Sequence, residues 1–162
     1  MSFARAVAFV LDREKGLVDD PEDPGGLTNW GIALKRHPEL TAQQIWEMTP
    51  EQAAQIYEGQ QYWRAIRGYE LPDYLSIPML DGAVVQGPHE AILCLQRALR
   101  VAADGALGPL TLQTATRAPN PRLILEELAA ERLTHMSSLP GWPHDGKGWS
   151  ARVVRASMEA IS

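Results

Sequence analysis

The first residues of the chain place apolar side chains at helical spacing. The residues that would share one helix face are Phe3, Ala6, Val7, Val10 and Leu11. Gly16 is typical of the position just past a helix end, so we expect Glu14 on the last turn. The pattern therefore predicts a buried amphipathic helix that carries a carboxyl group at its end.

A dense cluster of turn-forming residues follows this helix. Between Leu17 and Thr28 the chain reads Asp19-Asp20-Pro21-Glu22-Asp23-Pro24-Gly25-Gly26. Because proline, glycine and aspartate dominate turns, residues 17–28 are predicted to form a small β-hairpin or an ordered loop. Beyond it, Asn29 is expected to cap a helix through residues 30–34 that ends at His37-Pro38.

The rest of the pattern is that of helices joined by turns. Thr41 is a predicted helix cap, and Thr49-Pro50-Glu51-Gln52 predicts a capping box. Further helices are predicted at residues 78–85, 89–101, 109–117, 120–137 and 149–161, with a connection at 67–75 and a loop at 139–148. Since strands and helices do not alternate and no flexible linker divides the chain, we expect a mainly α fold and one compact domain over residues 1–162.

The charge balance restricts the partners of the chain. The 162 residues carry a formal net charge of -5 and a sequence pI near 5.3, without a long basic stretch. We therefore expect no nucleic-acid partner and no electrostatic capture by an anionic membrane or wall. The single cysteine, Cys94, excludes an intramolecular disulfide, and its apolar neighbours predict a buried, unreactive thiol.

The N-terminal apolar run is shorter than the core of a signal peptide. It extends from Ala6 to Leu11, and no small-residue cleavage site follows it. We expect synthesis in the cytoplasm without an export signal, no stable membrane association, and a monomer. The histidines and the acidic run at residues 19–23 lack the spacings of zinc and calcium sites, so we expect no metal and no cofactor.

Glu14, Asp23 and Thr28 stand close in the sequence and can face one cleft if the segment between them folds back. A glycoside hydrolase needs such a set. One carboxylic acid protonates the leaving oxygen, and a second carboxylate, or a polar residue that holds water, works from the other face of the sugar. The residues alone also allow a simpler interpretation, in which Glu14 is a solvated charge at a helix end and Gly25-Gly26 only bend the chain.

The run from Glu14 to Ile32 resembles the opening of glycoside hydrolase family 108, whose members are N-acetylmuramidases, many of them from bacteriophages. The matching pieces are Asp23-Pro24-Gly25-Gly26 and Thr28-Asn29-Trp30-Gly31-Ile32. The resemblance implies a lysozyme-like fold and places the general acid of the family on Glu14. The spacing also resembles that of phage-type lysozymes, which implies carboxylate and water-positioning roles for Asp23 and Thr28, although their separation is one residue shorter here.

The second half resembles the peptidoglycan-binding segment that usually follows this catalytic segment. The matching pieces are Asp81-Gly82-Ala83-Val84-Val85-Gln86-Gly87, Leu95-Gln96-Arg97-Ala98-Leu99, Asp104-Gly105-Ala106-Leu107-Gly108-Pro109, Thr111 and Gly148-Trp149-Ser150-Ala151-Arg152. The resemblance implies a catalytic muramidase segment at residues 1–86 and a helical peptidoglycan-binding segment at residues 87–162. The chain departs from the family pattern at Lys15, Leu17, Val85 and Ala151.

Five residues are candidates for substrate binding: Asn29, Tyr57, Tyr62, Trp63 and Asp81. The Ile-Tyr and Tyr-Trp positions of the family fall on Ile56-Tyr57 and Tyr62-Trp63. Asp81 is either a carboxylate of the groove or a buried support, and Trp63 suits the core as well as a sugar face. Two further tryptophans, Trp46 and Trp149, are expected in the core.

These residues and the resemblance predict a peptidoglycan hydrolase that cleaves the β-1,4 bond between N-acetylmuramic acid and N-acetylglucosamine. The biology expected is that of a phage endolysin released to the wall of its host through a separate pore. Two alternatives stay open. One is a wall-binding module that has lost turnover, which the departures at Lys15 and Val85 suggest. The other is a lytic transglycosylase, which needs one carboxylate and leaves an anhydro-sugar end.

Overall fold

The computed structural model describes residues 2–14, 16–19 and 26–162. Its helices are α1 (Ser2–Arg13), α2 (Ala42–Trp46), α3 (Pro50–Glu58), α4 (Ser76–Val85), α5 (Pro88–Ala98), α6 (Pro109–Thr116), α7 (Pro121–Ser137) and α8 (Trp142–Glu159). Short 3-10 helices occupy Leu34–Arg36, Gly68–Glu70 and Asp73–Leu75. The strands β1 (Leu17–Val18), β2 (Thr28–Asn29) and β3 (Ile32–Ala33) form one antiparallel sheet in that order. The prediction of a mainly α fold with a small β element is confirmed.

Helix α4 lies at the centre of the fold. Its first eight residues, 76–83, are all buried. A helix that is apolar on every side has to be covered all round, and α4 packs against α1, α5 and α8. Helix α7 in turn packs against α5 and α8. Through α4, the first helix of the chain and the last one share a core.

The predicted division at residue 86 falls in the short connection between α4 and α5. Helices from both sides of that position pack against α4. The assignment of residues 1–86 to catalysis and of residues 87–162 to wall binding stays a prediction.

The predicted helix through residues 30–34 is wrong, and Asn29 is not a helix cap. Instead, β2 and β3 form a hairpin in which Asn29 pairs with Ile32. Its two-residue turn, Trp30-Gly31, has φ of 51° and 78°. Such turns follow the twist of the strands and favour glycine, which adopts positive φ without strain. A short apolar run has no periodicity that separates a strand from a helix, which explains the error.

The predicted caps at Thr41 and Thr49 are confirmed. The hydroxyl of each threonine accepts a hydrogen bond from the backbone N–H three residues later, at Gln44 and Gln52. Each glutamine side chain accepts a hydrogen bond from the backbone N–H of its threonine in return. These contacts join residues three positions apart and define the starts of α2 and α3.

The predicted loop at residues 139–148 is wrong, because α8 begins at Trp142. Pro143 lies in the first turn, where a proline removes no helical hydrogen bond. Gly146 faces Trp142 so closely that a Cβ there would lie 2.8 Å from the indole ring. This glycine is therefore a packing residue within the helix and does not mark a turn.

Predictions for two single side chains have opposite outcomes. Cys94 is buried as expected, and burial raises the pKa of its thiol to about 12. Trp46, expected in the core, is 54% exposed, since the five-residue α2 buries only Ile45.

In the part of the chain that the structure describes, no helix combines the length and the apolar character needed to cross a bilayer.

Candidate active site

Glu14 directly follows α1. Its backbone N–H donates to the carbonyl of Val10 at 2.9 Å, which continues the helical pattern as predicted. Its side chain is 22% exposed, so solvent reaches the carboxyl group. The carboxylate oxygen Oε1 accepts a hydrogen bond from Nη1 of Arg152, in α8, at 2.5 Å. The predicted acid is therefore accessible and forms an ion pair with the last helix.

A buried ion network fixes Arg152. Its Nε donates to Oδ1 of Asp81 at 2.6 Å, and Asp81, in α4, is fully buried. The second oxygen of Asp81, Oδ2, accepts a hydrogen bond from Nη2 of Arg132, in α7, at 2.8 Å. Carboxylates and guanidinium groups thus alternate in the order Glu14, Arg152, Asp81, Arg132. Buried charges are tolerated when each is paired and hydrogen-bonded in this way.

Arg132, at the other end of the network, is also fixed by hydrogen bonds. Arg132 is 1% exposed, its Nε donates to Oε1 of Gln86 at 2.7 Å, and its Nη1 donates to the carbonyl of Pro78 at 3.2 Å. Burial by itself lowers the pKa of Arg152, but the negative charges of Asp81 and Glu14 outweigh it and raise that pKa above its ordinary value. Arg152 therefore stays charged over the whole working pH range.

Tyr57 lies beside Glu14 but is closed to a ligand, which corrects its predicted role in substrate binding. The residue is fully buried, and its hydroxyl donates to the carbonyl of Trp30 at 2.8 Å. Burial, and then the charge of Glu14, raises the pKa of Tyr57 well above the usual range. A Cβ added to Gly31 would lie 2.4 Å from this hydroxyl and 2.9 Å from Cβ of Glu14. The hairpin turn, Tyr57 and Glu14 are therefore packed so closely that only glycine fits at position 31.

Tyr62 joins this cluster to a groove. Its ring packs edge-on against Tyr57, with the ring centroids 5.1 Å apart, and its hydroxyl shares a hydrogen bond with Nε2 of His37 at 3.2 Å. The groove has a volume of about 300 Å³ and is lined by Arg36, Gln61, Tyr62, Ala83, Val84, Val85, Gln86 and Gly87. A second groove, of about 460 Å³, lies along α2 and α3 and is lined by none of the predicted site residues. The smaller groove is connected to Glu14 through Tyr62, which lines it and interacts with the charge of Glu14.

Three other predicted binding residues are structural. Trp63 is fully buried and packs against Phe3, so no sugar ring can stack on it. Asn29 is buried, and its Nδ2 donates to the carbonyl of Ile45 at 3.0 Å, which ties β2 to α2. Asp81 is the buried support and not a carboxylate of the groove. In each case the motif position serves the packing that holds the site.

Of the two residues predicted to act with Glu14, Thr28 lies within the described residues and Asp23 does not. Thr28 lies on β2 opposite Val18, is half-buried, and donates its hydroxyl to the carbonyl of Gly26 at 3.2 Å. Asp23 and Lys15 lie outside the described residues, so the roles predicted for them stay predictions. Within the described ranges, no group of three or more His, Cys, Asp or Glu side chains is arranged to hold a metal ion.

The sequence analysis missed Arg152 and Arg132 as site residues. Arg152 belongs to the closing Gly-Trp-x-x-Arg piece, but it stands 138 residues from Glu14, and nothing local connects the two. The pattern of apolar residues in α7 could have identified Arg132 as a buried, paired charge. It shares the buried face of α7 with Leu128 and Met136, and a charged residue on an apolar face generally has a buried partner.

Comparison with known proteins agrees with this geometry. Residues 7–87, half of the chain, match the family described as glycosyl hydrolase 108. The chain belongs to glycoside hydrolase family 108. Membership in family 108 makes it a glycoside hydrolase and supports activity on peptidoglycan of the N-acetylmuramidase type.

A solved structure extends the comparison to the second half of the chain. The structure of Brucella abortus SagA is similar to this family 108 member, with 33% sequence identity and a TM-score of 0.86. The match covers 99% of this chain and 94% of SagA. No curated protein matches the sequence. The predicted family and the predicted lysozyme-like fold are confirmed.

Proposed function

We propose that the chain hydrolyses the β-1,4 bond between N-acetylmuramic acid and N-acetylglucosamine in bacterial peptidoglycan. The observation that carries the proposal is the position of Glu14. Its carboxyl group is accessible at the end of α1, interacts with Tyr57 and with Tyr62, which lines the groove, and occupies the position to which the resemblance assigns the acid. Glycosidases act through a carboxyl group placed in this way beside a sugar-sized groove.

In this mechanism Glu14 gives a proton to the glycosidic oxygen while the bond to C1 breaks and positive charge develops on the sugar ring. Asp23 and Thr28 are proposed to stabilise that charge or to orient the water that attacks C1. The hydroxyl of Thr28, now bonded to the carbonyl of Gly26, would turn towards the water in the complex. Because the chain has a net charge of -5, shape and hydrogen bonds in the groove hold the glycan rather than long-range attraction.

The test compares Glu14→Gln with wild type on purified peptidoglycan in a zymogram. The amide cannot donate a proton as a carboxylic acid does, so we expect clearing to fall by about 100-fold or more. Glu126→Gln, the same chemical change at an exposed position of α7, is the matched control and should clear as wild type does. Equal clearing by Glu14→Gln and Glu126→Gln would remove Glu14 as the acid.

Product analysis separates the proposal from its two alternatives. Hydrolysis leaves a reducing N-acetylmuramic acid end, whereas a lytic transglycosylase leaves an anhydro end that is lighter by one water. A wall-binding module is favoured by one observation, since Val85 lines the groove where the family usually has asparagine. Co-sedimentation with peptidoglycan, without release of any sugar end detected by mass spectrometry, would support that alternative over the enzyme.

The wider role that we propose is lysis of a bacterial host by a phage, in which the enzyme is made in the cytoplasm and acts alone as a monomer. The family resemblance supports this role. In the test, the protein is expressed inside a bacterium with and without a pore-forming phage protein. Lysis only when the pore is present supports release through a pore, and lysis without the pore contradicts it.

A further inference from the structure

We propose that Arg152 is a positioning residue for Glu14, held by Asp81, and that it fixes the orientation of the acid. The inference rests on the proposed function, in which Glu14 is the acid. It adds a role for the last helix of the chain, which the sequence motifs connect only with wall binding.

The geometry supports positioning because Arg152 bonds two carboxylates through different nitrogens. Its Nε donates to Asp81 at 2.6 Å and its Nη1 donates to Glu14 at 2.5 Å. The guanidinium group is planar and rigid, so fixing one edge on a buried carboxylate also fixes the other edge. Asp81 cannot move, since it is fully buried and bonded to Arg132. The orientation of Glu14 is therefore determined by helices α4, α7 and α8.

The experiment uses the full chain and soluble, uncross-linked glycan strands, with kcat and KM measured separately. Arg152→Gln removes the cation, and Arg155→Gln makes the same change at an exposed position of the same helix. For Arg152→Gln we expect kcat to fall about tenfold to 100-fold with little change in KM, as misplaced catalytic groups produce. The same kcat in both variants would overturn the proposal.

Arg152→Lys separates charge from geometry. An ammonium group keeps the cation but cannot hold two carboxylates through a rigid plane. We therefore expect kcat of Arg152→Lys to stay below that of Arg155→Lys, although the positive charge is kept. If Arg152→Gln does not fold, as judged by circular dichroism, the comparison of the two lysine variants decides, and equal kcat values overturn the proposal.

A measurement without substrate distinguishes failure of this inference from failure of the proposed function. The carboxyl carbon of Glu14 is observed by NMR at one pH in wild type, Arg152→Gln and Arg155→Gln. A displaced or broadened carboxyl signal in Arg152→Gln alone supports the inference even if Glu14→Gln proves fully active and the proposed role of Glu14 falls. Identical signals in all three proteins overturn it even if Glu14 proves to be the acid.

Discussion

Replacement of Gly31 by alanine tests whether the hairpin turn, Tyr57 and Glu14 are packed as tightly as the structure shows. The residue has φ of 78°, which costs an L-amino acid about 1–2 kcal/mol. The new Cβ would also lie 2.4 Å from the hydroxyl of Tyr57. Relieving that overlap costs about 1–3 kcal/mol, and separating the hydroxyl from the carbonyl of Trp30 costs about 1–3 kcal/mol more. We expect Gly31→Ala to destabilise the fold by about 3–8 kcal/mol.

Gly26→Ala is the matched control. Its φ is 64°, but the nearest atom to an added Cβ is 3.6 Å away, at the flexible end of Lys35. Only the cost of the backbone applies, so we expect a loss of about 1–2 kcal/mol. In thermal unfolding followed by circular dichroism, Tm should fall by roughly 10 °C or more for Gly31→Ala and by roughly 4 °C for Gly26→Ala.

The same pair of variants also addresses the site. An alanine at position 31 would press on Cβ and Cγ of Glu14, each 2.9 Å from the new atom, and so displace the carboxyl group. At a temperature where both variants are folded, kcat on peptidoglycan fragments should therefore fall more for Gly31→Ala than its loss of stability explains. Equal Tm values for the two variants would refute the packing argument, whatever the activities are.

Two further predictions concern buried groups. Asp81→Asn leaves Arg132 and Arg152 without their shared counter-ion, so we expect a loss of about 3–5 kcal/mol in denaturant unfolding, against almost none for the exposed Asp19→Asn; similar midpoints for the two would contradict the network. Cys94 has a thiol pKa of about 12, so its thiolate is absent near pH 8 and forms only as the pH rises towards 12. The folded protein should not react with a disulfide reagent at pH 8, and reaction should follow unfolding in guanidinium; rapid labelling of the native protein would show that the thiol is accessible.

The ion network connects the two halves of the chain. Glu14 and Asp81 belong to residues 1–86, whereas Arg132 and Arg152 belong to residues 87–162. A catalytic segment without the second half would lack both guanidinium partners of Asp81 and the helices α5 and α8 that cover α4. Assays of this protein should therefore use the whole chain.

The sequence by itself determined the local features of the fold. The spacing of apolar residues placed α1 and put Glu14 at its end, and the capping boxes at Thr41 and Thr49 gave the starts of two helices. These features follow from contacts between residues three or four positions apart, which is why a single sequence contains them. The motif around Glu14 also indicated the family of the chain, and the comparison with known proteins confirms that family.

Only the tertiary structure decided which polar residues surround Glu14. The contact between Glu14 and Arg152 spans 138 residues of the chain. It exists because α8 packs against α4, and no local sequence pattern indicates that these two helices meet. The same limit explains why Tyr57, Trp63 and Asn29 were assigned to the substrate. A polar or aromatic residue in a motif has the same letter whether it lines a groove or is buried behind it, and burial depends on neighbours that are distant in the chain.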